Sequence, residues 1–70
     1  MIKVTRLNQS EVYVNPDLIE FMEETPDTVI TLTTGIKLVV EERALDVIDL
    51  IIEFRRKYYL DRPYLGRPAQ

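Results

Sequence analysis

The sequence predicts an α+β fold, a small five-stranded antiparallel sheet or open barrel followed by one C-terminal α-helix. Short β-branched or alternating runs separated by turn residues fill the first 40 positions. The period then changes to that of a helix, with no Gly or Pro between Glu41 and Tyr59 and with acids early and bases late. Acids near a helix start and bases near its end match the helix dipole.

The elements follow in order. "IKVTRL" (2–7) alternates with Ile2 and Val4 on one side. Asn8-Gln9-Ser10 supplies a turn, Asn being tolerant of the left-handed region. "EVYV" (11–14) is a second strand with Val12 and Val14 on one face. In "NPDL", Pro16 fixes φ and the Asn15 side chain is placed to cap the amides behind it. "IEFMEE" (19–24) sets Ile19 and Phe21 on one face, Glu20 and Met22 on the other. "TPDT" turns the chain with Pro26 at the second position. "VITLT" (29–33) and "IKLVV" (36–40) form a hairpin, with Gly35 meeting a demand for positive φ. Residues 1–60 make one domain, and 61–70 an irregular tail whose prolines stop the helix.

Composition limits what such a chain can do. Seventy residues bury a marginal core, and small folds commonly rely on disulfides, a structural metal or self-association. With no Cys and no His, self-association is the device that remains. Neither a secretory leader nor a run near the ~20 apolar residues of a membrane span is present, so a cytoplasmic protein is expected. The missing His and Cys also remove the usual general base and thiol nucleophile. Ser10 lies in a turn, Gly35 and Gly66 cannot form a phosphate-cradling loop, and the acids lack calcium-loop spacing. No catalytic residue, cofactor, metal or small-molecule substrate is expected.

Charge is unevenly spread. In residues 1–54, four bases against eleven acids leave −7, and in 55–70 five bases against one acid leave +4. An acidic body argues against a general nucleic-acid binder, although Arg55, Arg56, Lys57 and Tyr59 interleave bases with an aromatic ring.

The helix carries the strongest signal. At about 100° per residue, its apolar side chains cover an arc of ~220°, whereas docking on one sheet needs little over ~100°. Either the strands wrap deeply around the helix, or part of it faces another molecule. The predicted assembly or partner contacts are Val47, Leu50, Phe54 and Tyr58. Arg55 projects into the same arc. It either snorkels along the apolar surface or reaches a carboxylate on the sheet or across an interface.

"MIKVTRLN", "NPDLIE", "TPDTVITLTTG", "VVEE" and "VIDLIIEFRR", in this order over residues 1–57, resemble the flagellar FlbD family, also called the SwrD swarming-motility proteins. The resemblance implies a small, non-enzymatic cytoplasmic protein needed for swarming and full motor power. It implies support for the MotA/MotB stator, directly or indirectly, and carries over no catalytic or ligand residues. Asn8-Gln9-Ser10 departs from the Gly common in the family's first turn, and the tail beyond Lys57 is longer than the usual ending.

Overall fold

A computed structural model describes residues 1–61, with residues 58–61 described by backbone alone. Five strands and one helix follow in order: β1 (Ile2–Thr5), β2 (Glu11–Val14), a 3-10 turn (Pro16–Leu18), β3 (Ile19–Glu24), β4 (Thr28–Leu32), β5 (Lys37–Val40) and α1 (Ala44–Asp61). The helix thus runs through Asp61, the first residue of the predicted irregular tail, and the rest of that tail, 62–70, lies outside the described residues.

The strands are antiparallel, as expected, but they form two sheets instead of one, and among the described residues no barrel closes. β1 pairs with β2, while β3, β4 and β5 form a separate meander. The two sheets meet at one bridge, Arg6 to Val40, beside a hydrogen bond from Glu41 N to Thr5 O (2.8 Å). The ladder stops there for a local reason. The Thr5 amide donates to the Glu42 carboxylate (2.9 Å) and not to a strand carbonyl, and the Thr5 hydroxyl donates to the other oxygen (2.9 Å). A side chain has taken the place of the next ladder rung.

Glu42 therefore fastens the first hairpin to the root of the helix. Partial burial pushes its carboxyl up, but hydrogen bonds from the Thr5 amide, its own amide and the Thr5 hydroxyl outweigh that and hold it below the ordinary 4.5. A depressed folded value means the stabilisation is fully present above pH 4.5 and disappears as pH falls through the folded value. Glu42→Gln is expected to cost about 1 kcal/mol near neutrality. The gap from the parent should close below pH 4.5 in urea melts run at descending pH. A gap that stays constant with pH would show that the carboxylate charge is not involved.

The first three turns use the chemistry read from the sequence, with two changes of detail. Asn8 accepts from Ser10 N (3.1 Å), but Gln9 is the residue that adopts positive φ (75°). Asn15 Oδ1 accepts from Asp17 N (3.0 Å), as expected of a cap. The Thr25–Pro26 peptide is cis, a geometry that the ordinary turn predicted for Pro26 does not contain. Gly35 sits at φ +93°, the conformation that a side chain disfavours.

β3 departs from the simple alternation. Ile19 pairs with Leu32 and Phe21 with Thr31, so Glu20 is an extra, bulged residue. A bulge moves every later side chain to the opposite face. Met22, expected outside, packs against the core, and Phe21, expected inside, is 49% exposed. Periodicity cannot register an inserted residue, because the insertion is defined by the partner strand.

The core is Ile2, Val4, Val14, Ile30, Val40 and Val47, all buried. β1 and β2 supply three of them, β4 and β5 two, and α1 the last. Neither sheet has enough inner face for a core alone, and α1, lying against β1 and β3, covers both.

Candidate interaction surface

The helix begins later than its local chemistry predicts. Glu41 and Glu42 are held by β1, the first through its backbone amide and the second through its carboxylate, so helical geometry starts at Ala44. The start is capped from a distant strand. Glu24, at the end of β3, accepts from Ala44 N (3.0 Å) with one oxygen and from Arg43 Nε (3.1 Å) with the other. A carboxylate at this end also complements the helix dipole. The open groove beside it, lined by Leu7, Pro26, Asp27, Thr28 and Glu41 among others, is anchored by this same Glu24–Arg43 pair.

The apolar arc divides into two stripes. Val47 is fully buried, with Ile51 and Phe54 partly buried around the same core. Leu45, Ile48 and Ile52, spaced i, i+3 and i+7, form a second stripe and are 73%, 40% and 50% exposed. Among the predicted contact residues, Val47 therefore has no free surface and Phe54 is engaged with the core. Leu50 lies at the margin, more than a third exposed. The side chain of Tyr58 is outside the described residues. The centre of an apolar arc docks on the chain's own sheets, because that direction buries the most surface. The excess is left on the flank, and the sequence lists those flanking residues without ranking them.

Arg55 meets a carboxylate, one of the two fates open to it. Its Nη2 lies 3.0 Å from Asp17 Oδ1, on the 3-10 turn and not on a strand. Both side chains are substantially exposed, so the pair contributes between zero and about 1 kcal/mol. Its consequence is positional: it pins one side of α1 to the link between the two sheets. Arg56 lies 3.8 Å from Glu53 on the same helix, a long and exposed contact.

On the other side of the molecule, the outer face of β3–β5 carries Phe21 and Val39, both exposed, around Thr31. The Thr31 hydroxyl is buried with no hydrogen-bond partner among the described residues. No group of three or more acidic, His or Cys residues able to hold a metal occurs among the described residues. Nor is any described helix long and apolar enough to cross a membrane. What the surface offers is apolar area on a helix and a sheet, rimmed by charge.

The family of flagellar and swarming motility proteins, FlbD, matches over residues 1–59. The chain belongs to the FlbD family. The match covers both sheets and nearly all of α1. No curated protein and no solved structure matches the chain. Membership ties this FlbD protein to flagellar and swarming motility.

Proposed function

We propose that the chain is a non-enzymatic flagellar accessory protein that supports swarming by raising motor torque. It acts by contact with the stator proteins MotA and MotB, directly or through an intermediate, in the cytoplasm at the inner face of the membrane. The observation that carries this is the family match, which spans residues 1–59 and is described by motility. The surface is consistent with a product that is binding: apolar side chains are exposed along the helix, while Glu24, one of the three carboxylates lining the groove, caps the helix and pairs with Arg43. Exposed apolar area of this kind marks contact surfaces in small domains. Of the bases that would serve a nucleic-acid regulator, Arg55 is drawn to Asp17 and Arg56 to Glu53.

The test is torque per motor in tethered cells lacking the gene, with flagella counted in the same cells. Normal flagellar number with low torque, restored by extra stator protein, is the expected result. Few or no flagella would overturn it in favour of a part in flagellar assembly or in regulation of flagellar genes. Retarded DNA or RNA fragments whose binding weakens steeply with salt would single out the regulator.

A further inference from the structure

The groove at the root of α1 suits one kind of side chain. It measures about 490 Å³, within the range of small-ligand pockets. Its inner wall is the last rung of the β3–β5 sheet, where Thr28 pairs with Glu24 on one side and Val40 on the other. Leu7 and Pro26, both exposed, give it apolar sides.

The charge of the groove is unbalanced. Glu24 is satisfied by Arg43 and the Ala44 amide. One step beyond the Thr28–Val40 rung, the same register sets Asp27 opposite Glu41. Both line the groove, and neither has an ion-pair partner among the described residues. The Glu41 carboxylate accepts from the Gln9 side-chain amide, which brings no charge. Like charges set opposite each other repel, and a cation between them removes that cost.

Thr28 points independently to a hydrogen-bond donor. It is 3% exposed, and its side chain lies on the face that walls the groove. Its hydroxyl has no hydrogen-bond partner among the described residues. Buried hydroxyls are normally paired.

An arginine side chain answers all three features. Its guanidinium is planar, always charged and forked, so it can bridge two carboxylates and still donate to a hydroxyl. Its aliphatic stem suits the Leu7 and Pro26 sides. A lysine ammonium is a compact point charge that holds its water more strongly. Calcium takes about six to eight oxygens, more than two carboxylates and a hydroxyl provide. We propose that the groove receives an arginine of a partner protein, flanked there by apolar residues and held between Asp27 and Glu41, with Thr28 as a further acceptor. The inference concerns the purified chain and does not depend on the role proposed in the motor.

Amide proton–nitrogen spectra of the full chain, titrated with a blocked leucyl-arginyl-leucine tripeptide, test it. The expected result is saturable shifts at the Leu7, Thr28 and Glu41 amides, weakened by added salt. The tripeptide with citrulline in place of arginine, similar in shape but uncharged, should leave these amides unmoved. Asp27→Asn and Glu41→Gln should each weaken binding about fivefold, the scale of a partly exposed ion pair. Thr28→Val should weaken it about threefold through the lost hydrogen bond. Asp49→Asn, on the helix and outside the groove, should change nothing, and urea melts establish that each variant is folded. Arginine amide alone should bind more weakly than the tripeptide, since it lacks the apolar flanks. No shift at millimolar tripeptide, an equal response to the citrulline form, or an Asp49→Asn as damaging as Asp27→Asn would each overturn the proposal. Arginine amide binding as tightly as the tripeptide would overturn the assignment to a protein and leave a site for a free guanidinium compound.

Discussion

Replacing Val47 by Asp is expected to unfold the domain, whatever its concentration. Val47 is the buried helix residue of a core whose other members come from both sheets, and it has no exposed surface. An unpaired carboxylate there costs several kcal/mol. A single-core domain of this size has about 3–5 kcal/mol in all. The comparison is Leu45→Asp, two positions earlier on the same helix and largely exposed. That change should leave the stability of the monomer within about 0.5 kcal/mol. Circular dichroism and urea melts at several protein concentrations separate the cases. Loss of folded signal in Val47→Asp alone would establish Val47 as the residue joining helix to sheets. A folded but monomeric Val47→Asp would return it to the assembly contacts named from sequence.

Ile30→Ala is expected to cost about 3 kcal/mol, most of the stability available. Ile30 is completely buried at the middle of β4, between Met22 on β3 and Leu38 on β5. Loss of its outer carbons opens a void that three strands and a helix would have to shrink together to fill. A midpoint that falls in urea with an unchanged slope is the expected signature, because the surface exposed on unfolding stays nearly the same. If the chain dimerises, raising its concentration should recover part of the loss by mass action. A cost below about 1 kcal/mol would mean that the core closes around the void.

Much of this architecture was readable from local chemistry. All five strands appear near their expected positions, the hairpin turns at Gly35, and Asn15 caps the segment behind it. Each depends on neighbours a few residues away in the chain, so pattern suffices. The exchange of Phe21 and Met22, the late start of α1 and the division into two sheets were not readable in this way. Each is decided by a group far away in sequence: Thr31 and Leu32 opposite the bulge, Glu24 at the helix start, and Glu42 on Thr5.

The sequence by itself determined that this is a small α+β chain with no His and no Cys, and with more apolar helix than one sheet can cover. It also carried the resemblance that the family match bears out. Only the tertiary structure decided which part of that apolar arc is core and which is surface. Hydrophobicity says that a side chain leaves water, but not what it leaves water for. The two short sheets admit one stripe of α1, through Val47, Ile51 and Phe54, and Leu45, Ile48 and Ile52 remain outside because that space is already filled.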